Sequence, residues 1–135
     1  MIDKYFIDKH LHTLIDCVEL ASLEIMKIYK SDYFGQEEKS DGSPLTIADT
    51  KSNKIIMDAL KKISSDIPVI SEESFTDNNL KNLNETYWLV DPLDGTKEFI
   101  NQTDEFTVNI ALINDKKSIF GIVAAPVSGK IWHGS

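Results

Sequence analysis

Acidic side chains spaced around a proline could bind a hard metal ion in the segment from residue 88 to 99, WLVDPLDGTKEF. Its apolar first residues predict a strand that delivers Asp91 at its end, where the backbone leaves the sheet. Pro92 fixes the turn that follows. Asp91, the Leu93 carbonyl and Asp94 can therefore converge on one small volume. Hard divalent cations favour such sets of oxygens, at least two of them charged, so the segment predicts a metal site.

The two residues after this metal segment could hold a phosphate. Gly95 and Thr96 offer backbone amides close to the predicted metals, and they stand where a helix is expected to start. The N-terminus of a helix favours bound phosphate. Asp, Pro and Gly are also ordinary turn residues, so a capped strand-to-helix turn without a ligand is the competing interpretation of the same segment.

A pair of adjacent carboxylates, Glu72 and Glu73, follows a second predicted strand. Neighbouring carboxylates repel each other, so such a pair is either solvated or neutralised by a cation. A pair of adjacent glutamates, considered without its surroundings, more often lies in a solvated loop. One strand away from Asp91 and Asp94, the pair would supply a third metal ligand.

Thr46 and Asp49 have the spacing of a helix capping box, in which two side chains exchange hydrogen bonds with each other's backbone. This spacing gives Asp49 an ordinary structural role as an acid in the first turn of a helix. Its functional interpretation is that it hydrogen-bonds the Thr96 hydroxyl and orients a water molecule for attack. On the residues alone, both interpretations stay open.

Two helices and a sheet must position these segments. Apolar residues recur with the helical period over residues 7–29, and again in a second helix that begins near Thr46. The polar segment 31–43 between them predicts a mobile loop. Short apolar runs predict strands at 67–71, 87–91, 106–113, 118–125 and 130–133. Together they predict an α+β fold, with two N-terminal helices followed by a largely antiparallel sheet.

Both faces of the strands after Phe106 are mostly apolar, which leaves the sheet in need of a covering layer. A large exposed apolar face is typical of an interface or of an aggregating surface. We therefore expect the chain to self-associate. Cys17 is the single cysteine, so it cannot form an internal disulfide, and we expect it in a buried position on a helix.

The composition excludes some partners and permits others. The chain has 135 residues, the length of one domain, and a net charge of −8. Polynucleotide binding needs a cationic face, so a nucleic acid polymer is not expected as a partner. A small anionic substrate is compatible with this charge if metal ions reverse the local field. No apolar stretch approaches the ~20 residues of a membrane span and residues 1–4 lack a signal-peptide layout, so a cytoplasmic protein is expected.

The three acidic segments, in this order, resemble the inositol monophosphatase superfamily. The most specific mark is Asp-Pro-Leu-Asp-Gly-Thr after an apolar strand, at residues 91–96. Within the superfamily the chain is most similar to the bacterial 3′(2′),5′-bisphosphate nucleotidase branch. The marks of that branch are DGTKEFI at 94–100, EFTVNIAL at 105–112 and APV at 125–127. The resemblance covers nearly the whole chain and implies the N-terminal part of the family's layered α-β-α-β-α sugar-phosphatase fold.

The resemblance implies a magnesium-dependent phosphomonoesterase. The implied reaction removes the 3′-phosphate of adenosine 3′,5′-bisphosphate, in sulfur assimilation, and gives AMP and phosphate. One metal ion would lower the pKa of the attacking water and another would neutralise the leaving oxygen. Two or three magnesium ions are implied, with lithium as an inhibitor. Their implied ligands are Glu72, Asp91, Asp94 and the Leu93 carbonyl.

The remaining implied roles concern the water and the substrate. Thr96, paired with Asp49, would activate the attacking water. Gly95 and Thr96 would hold phosphate oxygens, and Lys39 in the predicted loop would help to close the site. Glu73 would be a neighbour of the site and not a ligand. The implied substrate contacts are Lys39, Glu72, Leu93, Asp94, Gly95 and Thr96.

The sequence departs from the family pattern in its length. Family members carry a second α/β half, which supplies another metal-binding aspartate, in a Trp-Asp-x-Ala-Ala segment, and most nucleoside contacts. Residues 1–135 would be the N-terminal metal- and phosphate-binding domain alone, and no acidic residue follows Asp115. We therefore expect a weakly held second metal and little nucleotide selectivity. A chain with this domain alone would have as its partner a second copy, in a homodimer, or a separate C-terminal half. A peripheral position at the inner membrane is also compatible with such a chain.

Two alternatives stay open. A broader phosphomonoesterase that acts on inositol phosphates or sugar phosphates would use the same residues. A protein without catalysis would keep the fold but not the reaction, either as a metal-binding remnant or as a partner module that associates through its uncovered sheet face. Comparing phosphate release from these substrates separates the enzymatic alternatives.

Overall fold

In a computed structural model, the chain is described over residues 2–31, 37–38, 44–73 and 85–135. The elements in these ranges are α1 (Lys4–Tyr29), β1 (Glu37–Glu38), β2 (Pro44–Leu45), α2 (Ile47–Ile63), β3 (Val69–Ser71), β4 (Thr86–Asp94), α3 (Thr96–Ile100), β5 (Thr107–Asn114), β6 (Lys117–Ala125) and β7 (Lys130–Gly134). The two long helices therefore precede the main sheet, as the sequence predicts.

Helix α1 begins at Lys4, before the predicted start at residue 7, because Asp3 caps it. The Asp3 side chain accepts a hydrogen bond from the Phe6 amide at 3.0 Å. Cys17 is buried within this helix, as predicted, and burial raises the pKa of its thiol to about 12. In the described ranges, no helix combines the length and the hydrophobicity needed to cross a membrane.

Five strands form one mixed sheet, in the order β3-β4-β5-β6-β7. β3 and β4 run parallel and each later pair is antiparallel, so the predicted, largely antiparallel sheet is confirmed. The hairpin between β5 and β6 turns on Asp115 and Lys116, whose φ angles are 48° and 64°. Two left-handed residues match the right-handed twist of the flanking strands, which explains this tight turn.

Two local features differ from the prediction. Strand β4 does not end at Asp91 but continues to Asp94, with a shift of register between these two residues. Pro92 has no amide hydrogen to give to a regular ladder, and a bulge accommodates it. Glu37–Glu38 lies within the segment 31–43 predicted as a loop, and it pairs antiparallel with Pro44–Leu45, directly after that segment.

Helices α1 and α2 cover one face of the sheet. Full burial of a large apolar side chain contributes about 1.5–3 kcal/mol, so this layer is a main source of stability. The apolar layer also fixes β4 relative to α2. Candidate site residues lie on both of these elements, so the layer sets their relative positions. The side chains that the strands bury against the helices include Trp88, Val90, Ile110, Leu112, Phe120 and Ile122.

The opposite face of the sheet is open in the described structure. Leu89 on β4 is 46% exposed, and Trp132 on β7 is 54% exposed. Leu89 pairs with Ala111 of β5, and Trp132 pairs with Val123 of β6. These four residues define the open face. The sequence predicts an apolar character for this face, since both faces of the strands after Phe106 are mostly apolar.

We expect the open face to drive self-association of the chain. The substitution Leu89→Ser removes apolar area from this face, so sedimentation velocity should show a shift toward monomer at equal concentration. Leu20→Ser is the matched control, because Leu20 is 49% exposed but lies on α1, on the other side of the sheet. A monomeric unchanged protein, or an equal response to both substitutions, would contradict this prediction.

Candidate active site

Strand β4 carries two of the predicted metal ligands on either side of its bulge. Asp91 pairs with Asn109 of β5, and the ladder resumes only at Asp94, which pairs with Thr107. Pro92 and Leu93 lie between them and are buried. Asp91 and Asp94 therefore flank a short backbone segment that burial in the core holds in place.

Parallel pairing brings the second acidic segment beside the first. Ser71 pairs with Val90, and the Glu72 amide donates to the Val90 carbonyl at 3.1 Å, so Glu72 reaches the same edge as Asp91. Burial of Asp91 is the largest cause that raises its pKa to about 7. A hydrogen bond with Glu72 and the negative charges of Glu72 and Asp94 raise this pKa further. Negative groups held this close together favour a bound cation.

One carboxylate oxygen of Asp91 is suited to bind a metal ion. Asp91 Oδ1 is buried and has no hydrogen-bond partner. Burying a polar atom without a partner lowers the stability of the fold by about 1–3 kcal/mol, and a bound cation would offset this loss. Over the ranges that the structure describes, no three His, Cys, Asp or Glu side chains lie close enough to hold a metal by themselves. Magnesium usually completes its shell with waters and other oxygens, so these residues fit a hard divalent cation.

Asp49 makes both of the contacts that the sequence left as alternatives. It is fully buried in the first turn of α2. Its Oδ2 accepts hydrogen bonds from the amide and the hydroxyl of Thr46, at 2.9 and 2.6 Å, and this completes a capping box. Its Oδ1 accepts a hydrogen bond from the Thr96 hydroxyl at 2.9 Å. Different oxygens of one carboxylate therefore cap the helix and hold Thr96.

Thr96 begins helix α3, as predicted, and Gly95 precedes it with a φ of +97°. A Cβ atom at Gly95 would lie 2.8 Å from the Glu105 carbonyl oxygen, so a glycine is required for both conformation and space. Phe99 of α3 packs its ring against the rings of Tyr29 and Phe106, and the distance between ring centroids is 5.2 Å for each pair. This aromatic cluster fixes the start of α3 and therefore the position of Thr96.

A cavity of about 700 Å³ connects the open face to the acidic residues. Its apolar part includes Leu89, Ala111 and Val123, and its polar end includes Glu72 and Asp91. A ligand in this cavity can therefore touch apolar side chains and the carboxylates at the same time.

Sequence reasoning missed two polar residues of α2. Ser52 is fully buried, and its hydroxyl donates a hydrogen bond to the Pro92 carbonyl at 2.7 Å. Asn53 accepts a hydrogen bond at Oδ1 from the Ser71 hydroxyl. Both residues lie on the helix face of Asp49, three and four positions after it, and this spacing was the signal that could have found them.

The structure brings most of the predicted residues together. Thr96 Oγ1 lies 3.4 Å from the Leu93 carbonyl oxygen, which joins the hydroxyl to the bulge. Glu73 donates its amide to the Ser71 hydroxyl. Lys39 falls outside the described residues. Electrostatic interaction links Glu72 and Asp94 to Asp91, and hydrogen-bond contacts link Asp49 and the Leu93 carbonyl to Thr96.

A family model for the inositol monophosphatase family matches residues 8–135. The chain belongs to this family. The 3′(2′),5′-bisphosphate nucleotidase CysQ of Shigella flexneri is 50% identical over 102 residues, which cover 70% of this chain and 42% of that protein. The protein of the same name from Buchnera aphidicola is 49% identical over 120 residues, which cover 87% of this chain and 45% of that protein.

A solved member of the inositol monophosphatase family has the same fold. The crystal structure of CysQ from Bacteroides thetaiotaomicron matches with a TM-score of 0.78 and 36% identity. The match covers 98% of this chain and 47% of that one. This chain therefore spans about half the length of the relatives that it matches, and its two helices and mixed sheet are the corresponding part of the family fold.

Gly95→Ala should destabilise this family member more than Gly129→Ala does. Both glycines have positive φ angles, +97° and +74°, so both substitutions strain the backbone. Only at Gly95 would the new Cβ also meet a backbone oxygen. We expect a loss of about 1–2 kcal/mol at Gly129, and a larger loss at Gly95, in urea unfolding. Equal losses would mean that the close approach to Glu105 is not a constraint.

Asp91→Asn should change the pH dependence of stability. The pKa of Asp91 is raised to about 7 in the folded chain, so the fold holds this proton more tightly than the unfolded chain does. The resulting stability is fully present below about pH 4, near the ordinary pKa of 3.8, and is lost as the pH rises to about 7. In a chelating buffer, thermal melts should therefore show that Asp91→Asn removes part of the loss of stability between about pH 4 and pH 7.

The same substitution should abolish stabilisation by magnesium, because Asp91 supplies the buried carboxylate oxygen that lacks a partner. Glu73→Gln is the control, since it removes a neighbouring charge that is not expected to touch the metal. Equal effects of the two substitutions on the magnesium-dependent melting temperature would overturn the ligand assignment.

Proposed function

We propose that the chain carries the metal and phosphate site of a magnesium-dependent phosphomonoesterase, which removes the 3′-phosphate of adenosine 3′,5′-bisphosphate. The observation that carries this proposal is the Thr96–Asp49 hydrogen bond, which lies next to the acidic edge formed by Glu72 and Asp91. The arrangement joins a proton acceptor to a cation site, and hydrolysis of a phosphate ester uses both. The nucleotidase names of relatives that are 50% and 49% identical support the choice of a nucleotide.

The acidic residues and one backbone carbonyl would hold the magnesium: Glu72, Asp91, Asp94 and Leu93. When bound, magnesium lowers the pKa of a water molecule and offsets charge on phosphate oxygens. The residues contribute a set of negative groups whose mutual repulsion falls when a cation is present. This arrangement lets a chain of net charge −8 accept an anionic ester.

Thr96 and Asp49 would orient and deprotonate the attacking water. The Thr96 hydroxyl has one proton and directs it to Asp49 Oδ1 at 2.9 Å. The lone pairs of Thr96 Oγ1 remain able to accept a hydrogen bond from a water molecule. As the water oxygen bonds to phosphorus, its proton passes to Thr96 while the proton of Thr96 passes to Asp49. The P–O ester bond breaks, and the leaving 3′-oxygen takes a proton from solvent.

The phosphate oxygens would be held by the backbone amides of Gly95 and Thr96. Gly95 adopts the left-handed conformation directly before α3, so its amide and that of Thr96 stand at the start of this helix. Glu72, Leu93 and Asp94 would complete the contacts around the phosphate. Lys39 would help to close the site.

Further parts of the substrate would be bound by residues outside positions 1–135. The matched relatives are more than twice as long as the matched segment, which covers 42% and 45% of their lengths. We propose that such residues supply the nucleoside contacts and another metal-binding aspartate, from the same polypeptide, a second copy or a separate half. The enzyme would act on small phosphorylated nucleotides in the cytoplasm, in sulfur assimilation.

Phosphate release from adenosine 3′,5′-bisphosphate by the purified chain tests this proposal. We expect release that requires magnesium, that lithium suppresses, and that Thr96→Val lowers about 100-fold or more. Thr103→Val is the control, because Thr103 is exposed and follows the C-terminal end of α3.

The remaining outcomes separate the alternatives. Faster release from inositol monophosphate would favour an inositol phosphatase. Magnesium-dependent thermal stabilisation without turnover would mean that the metal site is present and that catalysis needs residues outside this chain. A chain that responds to magnesium in neither assay contradicts the proposed function.

A further inference from the structure

Helix α2 reaches the site segments with three side chains on one face. Residues at positions i, i+3 and i+4 of a helix lie on the same side of it. One helix face therefore holds the end of β3, the bulge of β4 and the start of α3. The three contacts are Asp49 with Thr96, Ser52 with the Pro92 carbonyl, and Asn53 with the Ser71 hydroxyl.

No part of the proposed reaction explains the Ser52 contact. Ser52 is fully buried, and its hydroxyl spans 40 residues of sequence to reach the Pro92 carbonyl at 2.7 Å. A serine inside a helix often bonds to the carbonyl of the preceding turn. Ser52 instead donates to the bulge of β4, between Asp91 and Asp94.

A fixed Pro92 carbonyl restricts the backbone that follows it. The peptide group between Pro92 and Leu93 is planar, and the proline ring fixes φ at Pro92. The Leu93 side chain is buried, which removes most of the remaining freedom. The Leu93 carbonyl oxygen is left 3.4 Å from Thr96 Oγ1. Ser52 thus acts one carbonyl upstream of the Leu93 carbonyl, which lies beside the Thr96 hydroxyl.

We propose that Ser52 is a positioning residue for the magnesium site, and that its hydroxyl orients the Leu93 carbonyl by holding the Pro92 carbonyl. The inference rests on the proposed function, since it needs magnesium to bind beside Leu93. Ser52 itself touches neither the metal nor the substrate. Removing a group that orients a metal ligand lowers metal affinity about 10–100-fold.

Magnesium titration of Ser52→Ala by calorimetry tests this inference. We expect the dissociation constant to rise about tenfold while binding persists. Thr86→Val is the matched control, because its hydroxyl donates to Asn114 Oδ1 at 2.6 Å at the other end of β4. It loses a comparable hydrogen bond, so it should lower the melting temperature and leave the magnesium dissociation constant unchanged.

A second variant keeps the test sharp if Ser52→Ala folds poorly. Ser52→Cys retains the volume and a weaker donor, and it should give a dissociation constant between those of wild type and Ser52→Ala. Wild-type affinity in both variants overturns the inference alone, and so does equal weakening in Thr86→Val. A wild-type chain that binds no magnesium overturns the metal site and the inference together. Magnesium binding without phosphate release bears on the catalytic proposal only, and the shift in Ser52→Ala then still decides the inference.

Discussion

The burial of one carboxylate constrains the rest of the site. Asp49 is fully buried, and its oxygens accept hydrogen bonds from the amide and hydroxyl of Thr46 and from the hydroxyl of Thr96. A carboxylate in a protein interior is tolerated when such donors surround it. Two donors belong to the start of α2 and the third to the start of α3. Neither helix can move away without leaving a buried acid unsatisfied, so the two starts are held together.

The acidic edge is held in place against its own repulsion. Glu72 and Asp94 both raise the pKa of Asp91, and burial raises it most. The positive φ of Gly95 is a second local constraint at the same edge. Proteins keep such unfavourable features where the surrounding structure determines them strongly, often at functional sites. Here the surrounding structure is the apolar layer between the helices and the sheet, in which Trp88 and Leu93 are buried.

The open face and the acidic edge form one continuous surface. Leu89 and Asp91 line the same cavity, and they lie on the side of the sheet that the two long helices leave uncovered. The matched relatives are about twice as long as this chain, with 47% of the Bacteroides protein covered. Whatever packs on the open face would therefore also border the carboxylates, so association at this face and chemistry at this edge are physically linked.

The two long helices, most of the strands and the acidic residues of the candidate site could be predicted from the sequence, because the helical period of apolar residues and the Asp-Pro-Leu-Asp-Gly-Thr segment are local patterns. The parallel pairing of β3 with β4, which brings Glu72 beside Asp91, could not be predicted from these patterns. The same holds for the bulge through which β4 continues and for the hydrogen bond from Ser52 to Pro92. Local patterns show which residues share a face. They do not show which distant segment that face will meet, because the meeting depends on the packing of the whole chain.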